Sequence, residues 1–448
     1  MNDPEARLVN GDRHLVCAAA RVSTTPDRPV ALAGAEGRTQ CWSDIASPLE
    51  ANALLLCDGP ERTLWVCADL LYFGPDLTQA VHAAAARGGI APARVILAAS
   101  HTHFAPATDR TKPALGVVDE GALRVLAESL ESLVDTVVAA PLLPVRVECT
   151  RLSSAASINR RRRWPLPTFT REGLRWGPST VMAPAPTEPR DEFVDVLRFI
   201  AGNDEIVAVA WKFACHPVCF PQPLSVSSEF PGRARQLLRE QQQQAALPVL
   251  FLQGFTGDVR PRLIGNPTLL DRVRVFRRGP GFSEVQLAQW KAWADDLADT
   301  LCRAVRLPAA RSIDQVLDVS CIDVPMAHLI DKRADVEPAS PPMQIQRVLI
   351  GGRADTQVEL LFFAAEVCSP YLGLLGASER TLCVGYTGHV FGYLPSRQQI
   401  AEGGYEGGGY LARFGIVGLL RPGLEDAVVN AVAQLRALRG SRQEIREA

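Results

Sequence analysis

The residues of this chain that can do chemistry are histidines, a glutamate and tyrosines placed at the ends of apolar runs. Ser100-His101-Thr102-His103 follows directly on Val95-Ile-Leu-Ala-Ala99. Two imidazoles at i and i+2 on extended backbone point to one face and can reach one ion or one substrate. Two loop histidines bonded to backbone would leave the same pattern, so both readings stand on H-x-H alone. The place after a buried strand, where open α/β sheets bind ligands, favours the functional one. The chain holds seven histidines: His14, His82, His101, His103, His216, His328 and His389. His82 falls mid-helix and His328 in a loop, where structural roles are expected. A two-metal site built from imidazoles would consume nearly the whole stock. One ion completed by oxygen ligands fits better, and zinc takes such mixed His and carboxylate sets.

His216 ends the apolar run Val207–Cys215 and precedes Pro217. A lone histidine there is as readily satisfied by hydrogen bonds as by metal. Cys215 and Cys219 flank it, but C-x3-C without a second pair is a weak metal pattern. Glu366 follows Leu360-Leu-Phe-Phe-Ala-Ala365, which holds a carboxylate at the end of a buried strand. Such a group needs a cation or a proton, and an arginine serves as well as a metal. Gln253-Gly254-Phe255-Thr256-Gly257-Asp258 follows another apolar run, its glycines allowing backbone to approach a ligand closely. It is neither a Walker loop nor G-x-G-x-x-G, so phosphate cradling is not expected. Two glycine-rich stretches carry tyrosines, Gly392-Tyr393-Leu394-Pro395 and Gly403-Gly404-Tyr405-Glu406-Gly407. Arg160 to Arg163 reads as a solvated turn, because no aromatic platform or wider basic stripe accompanies it. There is no G-x-S-x-G elbow and no histidine-paired cysteine nucleophile.

Elements must position these groups. Leu64–Asp69 and Val95–Ser100 read as buried strands with a helix, Asp76 to Arg87, between them: a β-α-β unit. Further strands are expected at 145–151, 194–200, 206–213, 249–252, 316–324 and 358–363. Helices are expected at 120–140, 230–244, 283–305 and 425–438. Residues 164–190 carry six prolines and read as a long irregular insertion. No repeat or linker divides the chain, so the expected fold is a single large α/β domain over 1–448, with mixed β-sheets flanked by helices.

The 448 residues are 47% hydrophobic and 21% charged, with a net charge of −2. That balance excludes a disordered or fibrous chain and gives no field to draw nucleic acid or anionic membrane. The acidic, polar start shows no secretory signal, and no apolar run reaches a membrane-spanning length. Eleven cysteines without regular spacing suit a reducing, cytoplasmic setting.

Ordered blocks along nearly the whole chain resemble the catalytic domain of the neutral (alkaline, non-lysosomal) ceramidase family. They are Val66-Cys-Ala-Asp-Leu70, Ala99-Ser-His-Thr-His103 with Pro106, Ile158-Asn-Arg160, Phe213-Ala-Cys-His216, Phe230-Pro-Gly232, Phe251-Leu-Gln-Gly254, Gly257-Asp258, Glu366, Gly392-Tyr-Leu-Pro395 and Gly404-Tyr-Glu406. The resemblance implies a zinc-dependent amidase with His101, His216, Glu366 and Tyr393 as metal ligands. It implies that His103, Arg160 and Tyr405 contact the substrate or stabilise the reacting carbonyl, with water on zinc as the nucleophile. By the same resemblance Gly257, Asp258 and Arg260 are expected on the substrate side.

The chain also departs from the family. Phe104-Ala-Pro-Ala follows His103 in place of a Ser-Gly-Pro-Gly stretch. Arg260 stands where the family has a small polar residue, and Glu229 where it has Asp. About 40 residues follow Tyr405, and the family's immunoglobulin-like domain is not expected among them. The retained ligand set beside an altered neighbourhood points to hydrolysis of an amide or related acyl bond in a small acylated metabolite, with Arg260 favouring an anionic group. A true ceramidase and a non-catalytic member of the fold are the alternatives. Among partners, a homo-oligomer stays open.

Overall fold

Along Val358–Phe363 successive side chains serve two different cores. Leu360 and Phe362 pack in one, Leu361 and Phe363 in the other, because neighbouring residues of a strand leave on opposite faces. A strand covered on both sides reads as a continuous apolar run. That pattern recurs through the molecule and builds four layers.

The computed structural model describes residues 15–447 apart from 165–167, 171–172, 176–178, 265–280, 283, 309–310, 314–315, 332–340 and 353–355. Its large sheet has nine strands. They are β1 (Val16–Ser23), β2 (Glu50–Asp58), β3 (Glu61–Ala68), β4 (Val95–Ala99), β5 (Leu143–Ser153), β6 (Phe193–Ala201), β7 (Ile206–Phe213), β8 (Val249–Gln253) and β9 (Arg311–Ile313). The path runs β8-β7-β6-β5-β1-β2-β3-β4, with β9 beside β5. The second sheet orders β10 (Leu317–Val324), β11 (Met343–Ile350), β12 (Val358–Phe363) and β13 (Thr381–Val384) as they follow in the chain.

The two sheets face each other over one core, where Trp65 meets Phe199 and Phe362 edge-on at 6.3 and 5.8 Å between ring centres. The outer face of β1–β4 packs on α1 (Gly74–Arg87) and α2 (Glu120–Ala139). That of β6–β8 packs on α3 (Glu229–Gln242) and α4 (Leu287–Arg306). The outer face of the small sheet packs on α5 (Leu424–Glu447) through Leu424, Val428, Val432 and Leu435, the helical spacing of one apolar stripe. The α/β expectation of mixed sheets flanked by helices holds.

Five strands go beyond the sequence reading, among them the short β9 and β13. β1 is alanine-rich and weak in strand propensity, β2 likewise opens with alanines, and β11 buries Gln346 and Arg347 within its run. The stretch 164–190 is also more ordered than expected where it is described. Arg161–Trp164 pairs antiparallel with Ser179–Met182, and Thr168–Thr170 with Gly173–Arg175. Among the described residues no helix is long and apolar enough to cross a membrane.

Candidate metal centre

Three parallel strand pairs, β3/β4, β7/β8 and β12/β13, deliver their following residues to one place. Tyr72 follows β3, His101 follows β4, His216 follows β7, Thr256 follows β8, Glu366 follows β12 and Tyr386 follows β13. Both edge strands of the large sheet are tied there to the small sheet, through the bridges Ala98↔Thr387 and Gly254↔Val384. Side chains from both sheets therefore meet at a junction held by backbone hydrogen bonds.

His101, His103 and His216 offer ring nitrogens that all lie within 4.8 Å of one another. The Nε2 atoms of His101 and His216 are 3.0 Å apart, and that of His103 is 3.3 Å from His101 Nε2. Glu366 Oε2 lies 3.7 and 3.6 Å from the Nε2 atoms of His101 and His216. Each Nδ1 faces a backbone carbonyl: Leu71 at 3.1 Å, Gly34 at 2.8 Å and Thr256 at 2.9 Å. A carbonyl only accepts, so each Nδ1 carries the proton and each Nε2 presents a bare lone pair. Burial, followed by neighbouring positive charge, holds His101 and His216 well below the ordinary imidazole range and pushes His103 down to about 3. Three neutral imidazoles with lone pairs aimed at each other and a carboxylate beside them repel unless a cation lies between them. The donor set fits a zinc-type ion.

The backbone pays for this convergence. His101 has φ +65° and Tyr386 φ +59°, a region that non-glycine residues adopt at some cost. The H-x-H pair is thus not on extended backbone, as its spacing suggested. β4 stops at Ala99, and the two rings meet because Leu71 and Gly34 anchor them separately. Gly34 (φ +91°) lies so close that a Cβ there would overlap the His103 ring.

Glu366 is fully buried and sits beside Tyr393 in a two-residue parallel ladder, Glu366↔Tyr393 and Val367↔Leu394. Tyr72 donates to its Oε1, and Tyr386 to its Oε2 at 3.2 Å. Burial pushes its carboxyl up to about 7 against the pull of the Tyr72, Tyr393 and Tyr386 phenols and the Arg160 charge. Tyr72, Tyr386 and Thr256, whose hydroxyl bonds Tyr386 at 2.7 Å, were not singled out from the sequence. Their signal is the one His101 and Glu366 carry, a polar residue just past a buried strand.

The remaining expected residues surround this cluster. Arg160 is buried, with Nε on Glu406 at 2.8 Å and Nη2 on the Gly257 carbonyl at 2.7 Å and the Tyr393 phenol at 3.2 Å. Arg161 joins Glu406 at 2.7 Å, so the start of the arginine run is a buried ion-pair group rather than a solvated turn. Tyr405 is half-buried, its ring centre 5.3 Å from that of Tyr393. Asp258 gives Oδ1 to the backbone and hydroxyl of Ser369 and Oδ2 to Asn159 and Gln399. Arg260 is half-buried and touches Cys219 Sγ at 3.0 Å. Glu229 accepts from the backbone of Cys219, Phe220 and Phe230 and from Trp290, and so fastens the loop after His216 to α3.

His328 is exposed in a short helix, Met326–Leu329, His82 is half-buried on α1, and His14 lies outside the described residues.

The chain overlays the crystal structure of neutral ceramidase from Pseudomonas aeruginosa at TM-score 0.70 and 16% identity. The match covers 95% of this chain and 75% of that one. It shares the neutral ceramidase fold. A ceramidase structure described as complexed with C2 matches equally, at TM-score 0.69 and 16% identity, over 95% of this chain and 76% of the other. The sequence matches no protein-family model and no curated protein. The likeness is one of fold, held at 16% identity.

Proposed function

We propose that this chain is a zinc-dependent hydrolase of an amide or related acyl bond in a small acylated substrate. One observation carries the reading: bare Nε2 lone pairs from the large sheet converge with the Glu366 carboxylate from the small one. His101, His216, Glu366 and Tyr393 would hold the ion. Zinc would supply Lewis acidity to an acyl carbonyl and lower the pKa of a water.

The chain's own groups complete the chemistry. His103 is the one imidazole of the three that solvent still reaches, and a neutral imidazole there can accept and return a proton. Tyr405 would donate to the developing oxyanion. Arg160 acts through Tyr393, which it holds by hydrogen bond, and Gly257 and Asp258 hold the loop beside it. A reducing, cytoplasmic setting belongs to the same reading, since the eleven cysteines follow no regular spacing.

Metal analysis of purified protein tests the proposal. Stoichiometric zinc is expected, lost in His101→Ala together with turnover of N-acyl substrates. His103→Ala should keep the metal and lose turnover. Absence of zinc, or unchanged turnover in His101→Ala, would sink the reading. The shared fold favours a lipid amide as the second reading. Release of fatty acid from a labelled short-chain ceramide would support it, and failure under detergent would count against it.

A further inference from the structure

Four guanidinium groups surround the centre, and their counter-charges are shared unequally. Arg160 and Arg161 converge on Glu406, and Glu402 adds a contact to Arg161 at 3.4 Å. Arg38 spends its donors on the carbonyls of Leu32, Ala33, Pro223 and His103. Arg260 has no such outlet. Its Nη2 meets a thiol, its Cζ lies 4.2 Å from the centre of the Phe282 ring, and its buried Nε–H has no acceptor. Among the described residues neither Arg38 nor Arg260 has a carboxylate partner.

A buried N–H without an acceptor is costly, so the Nε–H of Arg260 is a donor left open for an anion. The planar guanidinium is also the side chain best shaped for a carboxylate, and the Phe282 ring lies against this one. Its location ties it to the reacting centre. Arg260 pairs in register with Ile158, next to Asn159 and Arg160. Its thiol contact, Cys219, lies three residues beyond His216.

The geometry points to Arg260 as the residue that binds a carboxylate carried by the substrate, so the substrate class is a carboxylate-bearing amide of the N-acyl amino acid type. The bond cleaved rests on the hydrolase reading above; the anion site does not.

Binding and turnover are therefore measured separately. Calorimetry on the metal-free full chain would compare N-acetyl- and N-octanoyl-leucine with their methyl esters, in wild type, Arg260→Gln and Arg260→Lys. The acids should bind about tenfold to a hundredfold tighter than the esters, the range of one charge-assisted contact. Arg260→Gln should erase that preference and Arg260→Lys restore part of it. No preference for acids in wild type, or a preference that survives in Arg260→Gln, overturns the proposal.

Turnover of the same compounds by zinc-loaded protein keeps the two readings apart. Acids and esters cleaved alike would leave the hydrolase standing and remove the carboxylate site. Acid-selective binding with no cleavage would do the reverse.

Discussion

Glu366 is held by more phenols than its ladder partner Tyr393 alone would supply, and each removes freedom from an oxygen of the proposed ligand. Tyr386 reaches Oε2, the oxygen nearest the two buried imidazoles, and is itself fixed by Thr256. Partners of this kind orient a metal ligand, and their loss typically costs about 10–100-fold in metal affinity. Tyr386→Phe, which keeps the ring and removes the hydroxyl, should weaken zinc binding by that order in a competition titration with a chromogenic chelator. An unchanged affinity would mean that Glu366 is placed by the backbone ladder alone. His389 makes a prediction about acid stability. Burial, with the nearby Lys112 charge, pushes its imidazole down to about 4, while Asp109 pulls the other way. The unfolded chain takes up a proton near pH 6.5, which the folded chain refuses until about pH 4. Stability therefore falls as pH drops through that window and is unaffected by this group above it. Urea midpoints at pH 7 and pH 5 should move closer together in His389→Gln than in the wild type.

At the scale of elements, the site depends on short connections placed just past strand ends. Gly257 shows how little room they have. A Cβ there would lie 2.7 Å from the Glu366 carbonyl oxygen and 2.9 Å from Cys368 Sγ. Gly257→Ala should cost about 1–3 kcal/mol in denaturant unfolding, the range for overpacking, and should lower zinc affinity by shifting the Glu366 backbone. Stability lost without any change in metal binding would separate that loop from the centre. The strands that carry the site were readable because strands buried on both faces are apolar over most of their length, as in β7, β8 and β12. β1 and β2 were not, since alanine speaks weakly for strand and their place in the sheet comes from partners.

For the whole molecule, the proposed ligands come from two sheets that meet over one core. His101 and His216 follow strands of the large sheet, and Glu366 and Tyr393 belong to the segments that follow the small one. An ion held by all of them crosslinks the layers in the native state only, and at a free concentration 100 times Kd it adds about 2.7 kcal/mol. Stripping with EDTA should lower the Tm, zinc should restore it, and His101→Ala should show neither change. A Tm indifferent to chelator in the wild type would argue against a cation at this junction.

The sequence by itself determined the α/β class, the strand ends that carry His101, His216 and Glu366, and the resemblance that joins them, because burial and strand period are local properties of residue order. Only the tertiary structure decided that Tyr72 and Tyr386 share Glu366, that His103 faces His101, and that Arg260 has no anionic neighbour among the described residues. Those relations join residues from 2 to 294 positions apart. The long ones close through packing of one sheet on another, which no spacing along the chain records, and the short one depends on the left-handed backbone at His101.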